Sequence, residues 1–109
     1  MSKKLVLLVD DEAWLAERMA DVLKKSGYDV TIAPNAVDAV QQIDARRPDI
    51  LLLDMFMPGP NGIVLLHELQ SYTDTATIPV VLCTNNASDM VLEQFAPYGV
   101  RRILDKTAM

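Results

Sequence analysis

The sequence predicts an α/β domain built on a parallel sheet, and three observations carry that reading. Apolar runs alternate with segments of helical period, the first and third runs are apolar throughout, and acidic or hydroxyl residues stand directly behind four of the five. Alternating strand and helix patterns are the mark of βαβ units. A continuously apolar strand is what burial on both faces requires.

A first strand is predicted over Leu5 to Val9. Leu15, Met19, Val22 and Leu23 then recur at helical spacing, and Gly27 ends that helix where a left-handed cap is expected. Val30 to Ile32 is a shorter second strand. Asn35 caps a second helix whose inner face is Ala36, Ala39, Val40 and Ile43, and Pro48 stops it. Ile50 to Leu53 is the third strand. Beyond the loop Pro58-Gly59-Pro60-Asn61-Gly62 comes a third helix with Leu65, Leu66 and Leu69 facing inward. Ile78 to Cys83 makes a fourth strand, Leu92 and Phe95 anchor a fourth helix that ends before Pro97, and Val100 to Leu104 is the fifth strand. The length of 109 residues fits a single domain, 1–109. The chain stops at Met109 where a further helix would be needed to cover the sheet, so the final helix is expected to be absent from this chain.

Composition narrows the function classes. Half of the residues are hydrophobic and 23% are charged, which suits a packed core and not a disordered chain. The apolar runs are too short to span a membrane, and Met1-Ser2-Lys3-Lys4 leads into the first strand without a cleavage pattern, so a cytoplasmic protein without membrane contact is expected. A net charge of −5, with basic residues in short pairs at Lys3-Lys4, Lys24-Lys25, Arg46-Arg47 and Arg101-Arg102, argues against direct nucleic-acid binding. Cys83, the only cysteine, reads as a buried, inert thiol. Trp14 reads as a packing residue, and His67 lies mid-helix with no ligand partner in sequence.

In an open parallel sheet, functional groups gather beyond the carboxyl ends of the strands. Here the first strand is followed by Asp10-Asp11-Glu12, the third by Asp54, the fourth by Thr84 and the fifth by Asp105-Lys106. Carboxylates about 4 Å apart repel by roughly 4 kcal/mol at an effective dielectric of 20. A Mg²⁺-like ion, which takes oxygen ligands and is commonly held by one or two carboxylates, offsets that repulsion, and the Lys106 ammonium adds to it. Asp54 is then a candidate nucleophile of the aspartyl-phosphate type, and Thr84 a hydrogen-bond donor to the new phosphoryl group. Asp10, Asp11 and a phosphorylated Asp54 would total about −4, of which the ion and Lys106 return about +3. The plain alternative is that Asp10 and Asp11 only cap the first helix.

Val9-Asp10-Asp11-Glu12, Leu53-Asp54-Met55-Phe56-Met57-Pro58 followed by Gly62, then Thr84 and Lys106, resemble the response-regulator receiver domains of two-component signalling. The likeness runs from Leu5 to Lys106 and includes the intervals between Asp11, Asp54, Thr84 and Lys106. It implies a flavodoxin-like three-layer sandwich around a five-stranded parallel sheet in order 2-1-3-4-5. It also implies phosphoryl transfer to Asp54 from the phosphohistidine of a sensor histidine kinase or phosphotransfer protein. Mg²⁺ (or Mn²⁺) would be coordinated by Asp11, Asp54 and the backbone carbonyl of Phe56, with Asp10 acting through water. Thr84 and Lys106 would bind the phosphoryl group and switch contact with a downstream partner or output domain, until hydrolysis resets the domain. Such a protein is a phosphoacceptor, not a turnover enzyme.

Three positions depart from the family pattern. Ile103 stands where an aromatic residue is usual, and Asn85 where a small one is. Thr107 follows Lys106 in place of a cis proline, and a trans bond is expected there because a non-proline cis peptide costs about 3 to 4 kcal/mol. These departures favour one alternative, a degenerate pseudo-receiver that works by docking alone. A second alternative, a haloacid-dehalogenase-like phosphatase, fits Leu51-Leu52-Leu53-Asp54 but meets Phe56 where its second acid should stand. A third, a flavodoxin relative, needs a phosphate-cradling first loop, which Asp10-Asp11-Glu12 would repel.

Overall fold

A computed structural model describes residues 3–54, 62–72, 75–84, 97 and 99–105. Its strands are β1 (Leu5–Val9), β2 (Asp29–Ala33), β3 (Ile50–Asp54), β4 (Val80–Thr84) and β5 (Val100–Asp105). Its helices are α1 (Ala13–Lys25), α2 (Ala36–Ala45) and α3 (Gly62–Gln70). All strand pairs are parallel and the sheet runs β2-β1-β3-β4-β5, the order the family resemblance implies. The winding direction reverses between β1 and β3, which opens a crevice at their carboxyl ends. The expected fourth helix around Leu92 and Phe95 lies outside the described residues, as do Asn85 and the Lys106–Thr107 bond.

The two faces of the sheet are separated by side-chain alternation. Leu7, Val9, Leu51, Leu53, Val80, Leu82 and Val100 point to one face, where α2 contributes Ala36, Ala39 and Ile43, and α3 contributes Leu65, Leu66 and Leu69. Val6, Leu8, Leu52 and Cys83 point to the other, where α1 packs through Ala16, Met19 and Ala20. Cys83 is buried, as expected. The largest side chains at these positions are almost wholly removed from water, each worth about 1.5–3 kcal/mol of transfer free energy. Among the described residues no helix is long and apolar enough to cross a membrane.

Two expectations for α1 fail. Val22, expected on the inner face, is 64% exposed, and Trp14, expected to pack, is 60% exposed. The helix turns its small residues to the sheet, so Ala16 and Ala20 let the backbones approach and Val22 rotates outward. Trp14 instead carries the Arg18 guanidinium 6.0 Å above its ring centroid, a cation–π contact on the surface.

Two helix termini obey their sequence signals. Gly27, just past α1, has φ 100°, a left-handed value that only glycine adopts without strain. Asn35 Oδ1 accepts the Asp38 N–H at 2.8 Å and caps α2. Asp49 Oδ2 accepts the Leu5 N–H at 2.7 Å, tying the start of β1 to the segment that enters β3.

Two irregularities occur at the borders of the sheet. In β2, Asp29 and Ala33 bond back toward β1, through Asp29 N–H to Lys4 O and Asp10 N–H to Ala33 O. By alternation, the backbone groups of Val30 and Ile32 point outward. Gln42 Nε2 of α2 donates to the Ile32 carbonyl at 2.8 Å and occupies one of those outward acceptors. In β5, Val100 pairs with Val80 but Arg102 pairs with Val81, so Arg101 is one residue too many and the strand bulges. Regular pairing would have turned Arg102 toward the α2–α3 face. The bulge places it opposite Val81 instead, and leaves Ile103 in the α2–α3 layer and Leu104 in the α1 layer.

Candidate functional site

Strand register delivers the acids to one place. Val9 of β1 lies opposite Leu53 of β3, so Asp10 and Asp54, the next residue of each, emerge side by side at the crevice. The backbone of Asp10 is fixed by its N–H to the Ala33 carbonyl at 3.1 Å. Its Oδ1 accepts the Glu12 N–H at 2.9 Å, a side-chain turn that bends the chain and leaves Asp11 exposed. The N-cap of α1 is Glu12, with no side-chain cap bond. The plain reading of Asp10 and Asp11 as caps therefore fails, although Asp10 does shape the turn that leads into the helix.

One carboxylate oxygen from each of Asp10, Asp11 and Asp54 lies within 4.8 Å of the other two. Asp10 is 2% exposed and Asp54 5%, so water screens two of the three charges poorly. At that separation each pair of charges repels by about 3 kcal/mol at an effective dielectric of 20. Three convergent oxygens, two of them buried, are the donor set that a hard divalent cation takes, and the residues fit a Mg²⁺-like ion.

The other expected members divide in two. Thr84 closes β4, beside the strand that carries Asp54, and pairs in register with Asp105 at the end of β5. Phe56 and Lys106 lie outside the described residues. The sequence reading missed the turn bond from Asp10 to Glu12. Its signal was available, because an aspartate two residues before a helix N-cap is a common turn former.

Known proteins share both the sequence pattern and the fold. The family model for the response regulator receiver domain matches residues 6–109. The chain is similar to the phosphate regulon transcriptional regulatory protein PhoB of Pseudomonas aeruginosa, with 39% identity over 84 residues covering 77% of this chain and 37% of PhoB. It is similar to the DNA-binding response regulator MtrA of Mycobacterium tuberculosis, with 32% identity over 105 residues covering 87% of this chain and 46% of MtrA. The chain thus spans less than half the length of these relatives. Among solved structures, a putative response regulator from Chloroflexus aurantiacus superposes with a TM-score of 0.84 at 30% identity, covering 97% of this chain and 87% of that one.

Proposed function

This chain belongs to the response regulator receiver domain family, and from that premise we propose that it is the phosphoacceptor of a two-component relay, with Asp54 as the acceptor. The donor is the phosphohistidine of a sensor histidine kinase or of a phosphotransfer protein. A carboxylate oxygen of Asp54 attacks phosphorus and forms an O–P bond as the P–N bond to the imidazole breaks, and the leaving nitrogen keeps the electron pair. The position of Asp54 at the end of β3, 5% exposed beside Asp10 and Asp11, supports that role.

A divalent ion, Mg²⁺ or Mn²⁺, supplies charge neutralisation for the carboxylates and for the phosphoryl oxygens. Asp11, Asp54 and the Phe56 carbonyl are the residues that would hold it directly. Asp10, already engaged with the Glu12 N–H, would act through water. The Thr84 hydroxyl and the Lys106 ammonium would bind phosphoryl oxygens. The modification adds about −1.5 to −2 units of charge at this crevice, enough to alter the contact with a downstream partner or output domain. Water attack at phosphorus then releases inorganic phosphate and restores the carboxylate. The domain acts in the cytoplasm, as an acceptor and not as a turnover enzyme.

The observation that carries this reading is the convergence of three carboxylates within 4.8 Å, two of them buried. The test is incubation with Mg²⁺ and acetyl phosphate, followed by intact mass measurement. Wild type is expected to gain one phosphoryl group, about 80 Da, and Asp54→Ala none. Failure of wild type to gain mass from acetyl phosphate and from phosphorylated kinase alike would point to the docking-only alternative.

A further inference from the structure

At the opposite end of the sheet the charge has the other sign. The helices run back against the strands, so the last turn of α1 and the C-cap of α2 arrive beside the amino ends of β1 and β2. Lys24 comes from the layer on one face, Arg46 from the layer on the other, and Lys3 from the segment that enters β1. Together with Tyr28, Asp29 and Val30 they line a cavity of about 400 Å³, a volume in the range of small-ligand sites. Three cations face one carboxylate there, in a chain whose net charge is −5. The carboxylate, Asp29, is already 3.5 Å from Arg46.

Interaction with the helix dipole accounts for a cation in the last turn of α1. It does not account for Lys3, which belongs to no helix and lines the same cavity. The outward-facing N–H of Val30 lies on the open border of β2 at this point, so the cavity offers a backbone donor as well as cations. Tyr28 and Val30 supply an apolar wall. An added strand from a partner is disfavoured along this border, because Gln42 already occupies the Ile32 carbonyl two residues on.

We propose that this cavity binds a small soluble anion carrying a phosphate or diphosphate group, at a site separate from Asp54. A phosphate ester with about two negative charges matches the excess of positive charge, and Arg46 presents a planar fork of donors suited to phosphate oxygens. The proposal stands independently of the phosphoacceptor reading, since no residue is shared between the two sites.

The test uses isotope-labelled protein in metal-free buffer, where the acidic crevice repels anions, titrated with inorganic pyrophosphate. Saturable shifts confined to the amides of Gly27 to Thr31 and the end of α2 are expected. The double variant Lys24→Ala/Arg46→Ala should weaken binding at least tenfold, and Arg101→Ala should leave it unchanged. Asp29→Asn should tighten binding severalfold, a change in a direction that damage to the fold cannot mimic. Non-saturating shifts spread over every basic pair would overturn the proposal, as would unchanged affinity in the double variant. Cosedimentation with anionic phospholipid vesicles without binding of pyrophosphate would overturn it too, by assigning the cations to a membrane surface.

Discussion

The two ends of one parallel sheet carry opposite charges in opposite settings. At the carboxyl end Asp10 and Asp54 are buried and crowded, whereas at the amino end Lys3, Lys24 and Arg46 are exposed and spread around a cavity. The strands all run one way, so residues that leave a strand collect at one end and residues that leave a helix at the other. The difference teaches that like charges cost stability only where water is excluded. The acids therefore need a counter-ion to rest beside, while the cations remain available at almost no cost.

The sharpest test sets neighbours in sequence against each other. Leu53→Ala, in the layer under the acids, is expected to lose about 2–5 kcal/mol in urea unfolding. Asp54→Asn, one residue on, is expected to gain about 1–3 kcal/mol in metal-free buffer, because it removes one of the three crowded charges. A loss of stability in Asp54→Asn equal to that of Leu53→Ala would break the contrast.

Addition of Mg²⁺ at a hundred times its dissociation constant should stabilise wild type by about 2.7 kcal/mol. The same concentration should do little for Asp11→Ala, as read from thermal melts. Smaller again is the loss of the α2 cap: Asn35→Ala is expected to cost about 1 kcal/mol, a local effect that leaves both ends intact. The smallest change is expected at the basic end, where Lys24→Ala and Arg46→Ala should each stay within about 0.5 kcal/mol of wild type. A larger loss there would mean that those cations are structural.

The fold was legible because its signals are local and repeated. Continuous apolar runs marked β1 and β3, shorter runs with β-branched residues marked the other strands, and Asn35 and Gly27 marked helix termini with side chains and backbone angles that few residues supply. The strand order itself came from the family likeness, since composition and periodicity do not say which strands are neighbours. Asp10, Asp11 and Asp54 were legible as strand-end acids, and the register of β1 on β3 brings them together.

What escaped the sequence depended on tertiary fit. Ala16 and Ala20 carry little hydrophobic signal, yet close approach to the sheet selects them for the inner face and turns Val22 away. The basic pairs looked scattered along the chain because Lys3, Lys24 and Arg46 are separated in sequence and meet only through the return direction of the helices. Gln42 gave no signal either, since an amide on a helix reads as solvated until a strand carbonyl is found within its reach.

The extra residue in β5 gives that border strand a place where its length can vary. Removing Arg101 would straighten the strand and leave Ile103 and Leu104 in their present layers, because the bulge already absorbs the odd residue without reversing the side chains beyond it. Removing Ile103 would either carry Leu104 to the opposite layer or, if the bulge straightened to compensate, turn the charged Arg102 into the α2–α3 layer. A splice or a shortened variant is therefore best tolerated at the arginine pair, where parity is already accounted for.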